Sequence, residues 1–538
     1  MELDPGATVR RARGALAGLL ALATLAAGCD AIPSTGAVVV QRTLDPAAGT
    51  QSVSGQIRVD AAGPQPGADP VVLVEGFLQA EGDSSQDYLQ AHRFLIPAAR
   101  WTPGGGVQIY DDAGLRLRAH GPATVEVTAA AVGRLDAQGD FVPESGRRTT
   151  VYHLARSGGQ WRLSALPPGL EITSNDLLYN YFPADVYYYA PDMRSLVPET
   201  VYLPSRQVTL PTELVDALLA GPDRWLAPAV VSPVPAGTTM SGSAVLLGGT
   251  VSVDLDLDPT AVPLSVAARI VTQFAATLGQ LPTVTEIRLT AQGQPLILPG
   301  GAAQIVSPAR AVAAEADSRT SPGPVSRPTV PGASALAAST SGQQAVVVHG
   351  HVLRTVRGHW RRVRVRGRAR CVAFGPGGSL WIGTSVGLDR MTPQGRVVPA
   401  PGLAGVTAVA VAPDGVRIAA ATVRGLVLAV IGPKDQLASI RRLAPTLREL
   451  AGVAWAGADT VDVLAASAGT PVSLYEVSSD GAVITPVVDS PPLTSPPTAL
   501  AAAAGQPVLL ASGGDIWEED PQTWVNLGPG TLPAYPAG

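Results

Sequence analysis

Cys29 has the clearest chemical role in this sequence, because it stands where an export signal would be cleaved. Three arginines, Arg10, Arg11 and Arg13, precede a largely apolar run over residues 14–28. That run is shorter than the roughly 20 residues that a helix needs to cross the hydrocarbon core of a bilayer. A cationic segment followed by a short apolar run is typical of a secretory signal. We therefore expect residues 1–28 to be a signal peptide, and Cys29 to offer a thiol at the new N-terminus.

The end of the apolar run, Ala26-Ala-Gly-Cys29, resembles the bacterial lipobox, with the usual leucine one place earlier as Leu25. The resemblance implies a diacylglycerol on the sulfur of Cys29 and a further acyl chain on its amine. Several acyl chains together give stable membrane anchoring. The alternative is an ordinary secretory signal with an incidental cysteine.

Two histidines and a cysteine could form a metal site in the C-terminal half. If His349 and His351 lie on one strand, their alternation places both imidazoles on the same face, with His359 or Cys371 as a further ligand. Two ligands without a third at a defined spacing are more often exposed strand residues. We expect no metal here.

Three alternating aspartates, Asp254, Asp256 and Asp258, follow a predicted strand and could hold Ca²⁺ through their oxygens. They have no calcium-loop signature, so a solvated face is the expected outcome. The sequence predicts no cofactor elsewhere.

Residues 361–370 contain six arginines, the densest charge in the chain. Alternating arginines protect an exposed strand edge against pairing with other strands. The functional alternative is that Arg362, Arg364 and Arg366 bind an anionic headgroup, a wall polymer or an acidic protein loop. Export of the chain would exclude nucleic acid as a partner.

No residues are spaced as a catalytic centre requires. The sequence has no Gly-x-Ser-x-Gly nucleophile turn, and its six histidines are scattered. A hydrolase needs a nucleophile, a base and an orienting acid close together. We therefore expect a protein that is not an enzyme.

The chain is long enough for several domains, with 538 residues and a net charge of −5. Only Cys371 remains beside Cys29, so the residues allow no disulfide framework within one molecule. Residues 29–68 are rich in Gly, Pro, Ala and Ser, which predicts a flexible tether.

Residues 69–175 begin with two amphipathic patterns, at 71–80 and 88–95, and continue with alternating strands. Helices followed by a curved antiparallel sheet predict an α+β unit that resembles the NTF2-like fold. Six aromatic residues at its end are expected to pack the junction with the next domain; they are Tyr179, Tyr181, Phe182, Tyr187, Tyr188 and Tyr189.

Residues 190–300 predict a second α+β unit. A helix over 212–220 with Thr212 as a possible N-cap, a hairpin at Gly248-Gly249 and a helix over 264–278 are indicated. The segment Leu-Val-Asp-Ala-Leu-Leu-Ala-Gly-Pro222 and the stretch from Thr277 to Ile287 resemble the GerMN domain of envelope lipoproteins.

Residues 301–340 are rich in proline and predict a linker. From residue 341 to 538 a strand-turn-strand pattern recurs about every 40 residues, which is typical of β-propeller blades. The predicted fold class is therefore multidomain: an NTF2-like α+β unit, a GerMN α+β unit and an all-β propeller-like C-terminal domain. The segment has room for about five blades.

The order of lipobox, NTF2-like unit, GerMN unit and propeller resembles the actinobacterial LpqB lipoproteins. Local stretches that carry the resemblance include Glu75-Gly-Phe-Leu-Gln-Ala80 and Ala98-Ala-Arg-Trp101. The resemblance implies a lipid-anchored protein on the outer face of the cell membrane. It also implies a non-catalytic accessory of a sensor kinase of the MtrB type, acting in envelope maintenance and cell division.

Other functions remain open at this point. An envelope lipoprotein that binds or hydrolyses peptidoglycan or a glycan would have the same modules, because fold alone does not decide function. A structural factor that assembles other envelope proteins is a third interpretation. The partners expected are thus the bilayer, the extracellular domain of a sensor kinase and, in the alternative, cell-wall polymers.

Overall fold

The computed structural model describes residues 62–84, 86–205, 208–296, 305–306, 330–433, 436–467, 469–487, 493, 495–520 and 523–537. The predicted signal peptide, Cys29 and most of the predicted tether lie outside these residues. Two units that combine helices with sheets are followed by a region built almost wholly of strands. The predicted fold class is confirmed.

The first helix, α1, spans Pro70–Glu81 and begins where a side chain caps it. An oxygen of Asp69 accepts hydrogen bonds from the backbone N–H groups of Val71 and Val72, at 2.9 and 3.1 Å. Proline at the first helical position has the required φ and needs no hydrogen-bond acceptor. The buried face consists of apolar residues three or four positions apart, including Leu73, Val74, Phe77 and Leu78.

The second predicted helix, over residues 88–95, is only one turn long. This helix, α2, spans Leu89–His92. The chain then joins the sheet: the backbone N–H of Leu163 donates to the carbonyl of Phe94 at 2.8 Å, and that of Ile96 donates to the carbonyl of Leu163 at 2.9 Å. Pairing with the sheet therefore replaces the remaining helical turn.

A six-stranded sheet packs against these helices. Its strands are β1 Val107–Ala119, β2 Thr124–Leu135, β3 Phe141–Pro143, β4 Arg147–Ser157, β5 Gln160–Ala165 and β6 Leu170–Thr173. The order is β5-β4-β2-β1-β6, with β3 on β2, and only the β1–β6 pair is parallel. Bulges in β1 bend this sheet. Helix α3, Ser174–Asn180, follows with a capping box formed by Thr173 and Asp176.

The second unit contains two sheets and two helices. Its elements are β7 Tyr181–Tyr189, β8 Leu196–Pro204, α4 Leu210–Ala220, β9 Val245–Leu247, β10 Thr250–Leu255, α5 Leu264–Leu278, β11 Glu286–Ala291, β12 Gln294–Pro295 and β13 Ile305–Val306. Strands β7 and β8 pair with each other, and the other sheet has the order β12-β11-β10-β9, with β13 on β11. The predicted hairpin is confirmed, since Gly248 and Gly249 both have positive φ between β9 and β10.

Strand β7 starts upstream of residue 190, where the second domain was expected to begin. It carries most of the aromatic cluster, and its residues divide between two cores. Tyr188 packs in the core of the second unit, whereas Tyr181 packs in the core of the first. Tyr179 is 41% exposed and packs in neither core.

The prediction that Thr212 caps α4 is wrong. The helix begins at Leu210, with Pro211 in its first turn, so Thr212 already lies inside it. Its hydroxyl instead accepts a hydrogen bond from the backbone N–H of Ala244 at 3.1 Å. Thr212 therefore fixes the loop before β9 against the helix.

The strand-rich region consists of five successive four-stranded sheets, which we call blades 1 to 5. Blade 1 contains β14 Ala333–Ser339, β15 Gln344–Val348, β16 His351–Val356 and β17 His359–Val363, and blade 2 contains β18 Ala369–Phe374, β19 Leu380–Thr384, β20 Gly387–Met391 and β21 Val397–Ala400. Blade 3 contains β22 Val406–Val411, β23 Arg417–Thr422, β24 Gly425–Ile431 and β25 Leu437–Leu443, and blade 4 contains β26 Arg448–Trp455, β27 Thr460–Ala466, β28 Ser473–Ser478 and β29 Ile484–Pro486. Blade 5 contains β30 Ala499–Ala501, β31 Leu509–Ser512, β32 Asp515–Asp520 and β33 Thr523–Pro529. The first strands of successive blades are neighbours. The predicted repeat is confirmed.

Blade 1 has a fifth strand from the other end of the chain. Strand β34, Pro536–Ala537, pairs in parallel with β14, so that residues 536 and 537 oppose Ala338 and Ser339. Strand β14 itself begins at Ala333, inside the segment predicted as a linker. The sequence did not indicate this strand, because it contains mostly alanine and has no long apolar run. Pairing of its alanines with the valines of β15 nevertheless forms a buried sheet.

Gly383 in β19 allows close packing between blades 2 and 3. A Cβ atom there would lie 2.4 Å from Sγ of Cys371 and 2.9 Å from Cγ1 of Val406. We expect Gly383→Ala to lower the free energy of unfolding by about 1–3 kcal/mol, because both neighbours are buried. Urea denaturation of the full chain measures this.

The control is Gly457→Ala, because the nearest atom to a Cβ at that position is 3.8 Å away. This variant is expected to stay within about 0.5 kcal/mol of the parent chain. Equal unfolding midpoints for both variants would contradict the packing assigned to Gly383.

Candidate functional site

The predicted lipidation residue, Cys29, lies outside the described residues, so its acylation stays a prediction. Within the described ranges, every helix is too short or too polar to cross a bilayer.

The histidines considered as metal ligands in the C-terminal half, His349 and His351, do not share a strand face. His349 lies in the two-residue turn before β16, with a φ of 49°, and His351 is the first residue of that strand. Nδ1 of His351 accepts a hydrogen bond from Nη2 of Arg362 at 2.9 Å. Cys371 is buried, and burial raises the pKa of its thiol to about 12. A turn in place of a continuous strand thus separates the two imidazoles.

The three aspartates also have separate structural partners. Asp254 accepts hydrogen bonds from Oγ1 of Thr290 at 2.5 Å and from the backbone N–H of Gly293 at 2.9 Å. Asp258 caps a single 3₁₀ turn through Thr260, whereas Asp256 is exposed. Across the described residues, no three His, Cys, Asp or Glu side chains are grouped so that they could hold a metal ion.

The three predicted surface arginines have different surroundings. Arg366 forms an ion pair with the fully buried carboxylate of Asp389, 2.6 Å from Nη2 to Oδ1, and its backbone N–H donates to Oδ2 at 3.1 Å. Arg362 lies on the edge strand β17 and contacts His351. Arg364 is exposed in the loop that follows. Arg366 therefore joins blade 1 to blade 2, and the three do not act as one equivalent surface.

A second set of charged residues, which the sequence did not single out, lies where all three regions meet. We call it the interdomain junction and define it by Asp140 of the first unit, Glu199 and Asp223 of the second, and Arg417, Arg441 and Asp480 of the blades. These six side chains surround a common cavity.

Arg417, the first residue of β23, makes the largest number of contacts in the interdomain junction. Its side chain is 1% exposed, and Nη2 lies 2.7 Å from Oδ2 of Asp414. Nη1 donates to the carbonyl of Pro198 in β8 at 3.3 Å, and Nη2 donates to the carbonyl of Ala458 in blade 4. The guanidinium also lies 5.0 Å from the ring centre of Trp455. One side chain thus connects the second unit with blades 3 and 4.

Arg441 of β25 makes the second connection. Its guanidinium lies 3.8 Å from the ring centre of Trp225, which belongs to the second unit. Nη2 of Arg441 donates to the carbonyl of Ser479 in blade 4 at 2.7 Å. Stacking of arginine on an aromatic ring is more favourable when both groups are shielded from water.

Four carboxyl groups face these two guanidinium groups. Burial raises the pKa of Asp140 to about 8, and the nearby charges of Asp136 and Asp223 add to the effect. Burial, followed by the charges of Asp140 and Asp223, also raises the pKa of Glu199 well above its ordinary value. The backbone N–H of Asp223 donates to Oε1 of Glu199 at 3.0 Å. At neutral pH some of these acids are therefore protonated, which limits their repulsion.

The interdomain junction has almost no free space. The cavity that its residues surround has a volume of about 10 Å³, which is room for about one water molecule. This space is too small for a small-molecule ligand, and the arginines around it contact groups of other domains. The sequence contained one signal for these contacts: Arg417 stands in an apolar strand, at the position that Leu380 occupies in blade 2, two residues after the turn at Asp414-Gly415.

Three family models match successive parts of the chain. The model described as "Lipoprotein LpqB, N-terminal domain" matches residues 63–178. The model described as "Sporulation and spore germination" matches residues 185–297. The model described as "Lipoprotein LpqB beta-propeller domain" matches residues 315–536. The matched ranges follow the three regions of the fold in order.

Curated relatives with the name Lipoprotein LpqB agree with these matches. One from Thermobifida fusca is 32% identical over 52% of this chain and 46% of its own length, and one from Cutibacterium acnes is 32% identical over 55% and 49%. The matched parts thus span about half the length of these two relatives. A third, from Streptomyces coelicolor, is 29% identical over 95% of this chain and 96% of its own length. Three family models in the expected order and a relative of matching extent show that the chain belongs to the LpqB family of lipoproteins.

Proposed function

We propose that this protein is a lipid-anchored, non-catalytic accessory of a two-component sensor kinase, held on the outer face of the cell membrane through Cys29. The family resemblance supplies the class of partner, a kinase of the MtrB type. One structural observation supports a role without catalysis: the buried ionisable groups of the interdomain junction surround a cavity of only about 10 Å³.

The interdomain junction supports this proposal in a second way. Arg417 and Arg441 bind the second unit to blades 3 and 4 through buried contacts. If a partner docks on the second unit or on these blades, the contacts of the interdomain junction keep the two regions fixed relative to each other. Such an arrangement suits a protein that presents fixed surfaces to the extracellular part of a kinase.

The test uses the acylated full chain and the full-length sensor kinase, reconstituted together in nanodiscs. We expect the chain to change the rate of kinase autophosphorylation, and we expect Cys29→Ser to abolish its stable association with the nanodisc. Stable anchoring requires more than one acyl chain, so removal of the acylated thiol should release the protein. Mass spectrometry of the mature N-terminus verifies acylation of Cys29 in the parent chain.

An unchanged autophosphorylation rate together with no binding to the kinase would contradict the kinase role. A rise in melting temperature with purified peptidoglycan fragments would then favour the alternative, a wall-binding lipoprotein. Release of soluble sugars or peptides from those fragments would contradict the absence of catalysis.

A further inference from the structure

A cleft lies at the end of blades 1 and 2, away from the interdomain junction. Its volume is about 480 Å³, within the range of small-molecule sites in proteins. It is formed where the first strands β14 and β18 begin and where the turns before β16 and β20 lie. The lining residues are Gly332, Ser334, His349, Gly350, Arg368, Ala369, Arg370 and Ser385.

The position of Arg370 is explained by a β-bulge. In blade 1 the register of β14 shifts between Ala333 and Ala335, and in blade 2 that of β18 shifts between Ala369 and Cys371. Each shift leaves one extra residue, which is Ser334 in blade 1 and Arg370 in blade 2. Bulges redirect side chains and are common beside functional sites.

Three of the other four blades, which are blades 1, 3 and 5, place a hydroxyl group at the same position. Oγ of Ser334 donates to the carbonyl of Val347 at 3.3 Å, and Oγ1 of Thr407 in blade 3 donates to the carbonyl of Ala421 at 3.2 Å. In blade 5, Oγ1 of Thr498 donates to the carbonyl of Ala511 at 3.3 Å. Arg370 is therefore a departure from a repeated structural solution, and such departures are expected at functional sites.

The cleft has an excess of positive charge. Arg368 and Arg370 are exposed, and within the described ranges no carboxylate lies close enough to form an ion pair with either. Gly350 allows Arg368 to pack close to the turn before β16, because a Cβ atom at Gly350 would lie only 3.1 Å from Nε of Arg368. Hydroxyl groups of Ser334 and Ser385 and the imidazole of His349 complete the lining.

We propose that this cleft binds a phosphate group carried by an envelope molecule, with Arg368 and Arg370 as its main ligands. Guanidinium groups form paired hydrogen bonds with phosphate oxygens, and two of them match the charge of a phosphate dianion. The hydroxyl of Ser385 and an N–H of His349 are suitable donors to the remaining oxygens. This site is separate from the proposed kinase role and does not depend on it.

The test is calorimetric titration of the acylated full chain in dodecyl maltoside micelles, which contain no phosphate. Inorganic pyrophosphate is the soluble probe, and dihexanoyl phosphatidylglycerol is the lipid-headgroup probe. Sodium acetate of equal ionic strength serves as the reference anion. We expect saturable binding of at least one phosphate probe and none of acetate.

The decisive variant is Arg370→Thr, because it installs the residue that blade 3 has at this position and should preserve the fold. Loss of one charged hydrogen-bonding group is expected to weaken binding by about tenfold or more. The matched control is Arg361→Thr, which removes one equally exposed arginine outside the cleft and should leave affinity within about twofold. Melting temperatures of both variants report on folding.

Binding of pyrophosphate that depends on Arg370 would identify a soluble or polymer-borne phosphate, and binding of phosphatidylglycerol alone would identify a lipid headgroup. Both results support the site. Failure of both probes to saturate the parent chain would overturn it. Equal weakening by Arg361→Thr and Arg370→Thr would also overturn it, because the attraction would then be general to the surface.

Discussion

Arg417→Met is expected to destabilise the folded chain by about 3–5 kcal/mol, the cost of leaving a buried ion pair with one partner. The reason is local. The carboxylate of Asp414 is 4% exposed. Its Oδ2 accepts a hydrogen bond from Nε of Arg417 at 2.7 Å and lies 2.7 Å from Nη2 in an ion pair. Methionine would keep much of the volume but would leave this carboxylate uncompensated. The carbonyl groups of Pro198 and Ala458 would also lose their donors.

Urea denaturation of the full chain measures the effect, and Arg424→Met is the control. Arg424 lies in the same blade but is exposed, so its replacement should change stability by less than about 0.5 kcal/mol. Adding Asp414→Asn to Arg417→Met should restore part of the loss, because the unpaired charge is removed. If Arg417→Met unfolds at the midpoint of the parent chain, the junction does not contribute the stability assigned to it.

Asp140→Asn should change how stability depends on pH. An unfolded aspartate has a pKa near 4, whereas burial in the interdomain junction raises the pKa of Asp140 to about 8. Between these values the folded chain holds a proton that the unfolded chain lacks. The free energy of unfolding of the parent chain therefore falls as pH rises through this window, by up to about 1.4 kcal/mol per pH unit for this group. Asparagine does not titrate, so the variant should lose this slope.

Urea midpoints at several pH values from 5 to 8 provide the comparison. The stability of Asp140→Asn relative to the parent chain should increase over this range. Other charged groups face Asp140 and are the same in both proteins; they are Asp136, Glu199, Asp223, Arg441 and Asp480. Asp256→Asn, at an exposed position, should leave the slope unchanged. Parallel pH profiles for Asp140→Asn and the parent chain would contradict the raised pKa.

The elements whose formation depends on residues close together in the sequence could be predicted. Helix α5 agrees with the predicted range, and the turn at Gly248-Gly249 forms the hairpin expected from its glycines. The blade repeat was visible because each turn and strand pattern returns at a fixed spacing. In each case the residues that determine the element lie within about 40 positions of one another, which is the length of one blade repeat.

The interdomain junction could not be predicted in the same way. Arg417 and Pro198 are separated by 219 positions, so no local pattern connects them. Burial of a charge is also invisible in a sequence, because the same arginine would be equally suitable at an exposed strand end. Only the position of Arg417 in an apolar strand indicated that something unusual was required there.

The arginine-rich segment shows a related limit. Arg361 and Arg362 lie on the edge strand β17 of blade 1, but this strand ends at Val363. The alternation of arginines therefore indicated an edge strand only at the start of the segment, because residues 364–368 form a loop. It gave no sign that Arg366 pairs with the buried Asp389, because that contact depends on how blade 2 packs. Arg370 was also concealed, because a bulge shifts the regular alternation of a strand by one residue.

Pairing between β34 and β14 links the order of synthesis to the order of folding. The paired residues are about 200 positions apart in the chain, so blade 1 stays one strand short until residues 536 and 537 have emerged. A ribosome that stops early, or a protease that trims the last residues, would therefore expose a backbone edge in the blade that was made first. Damage at the tail of the polypeptide is thus expected to appear as loss of amide protection in β14.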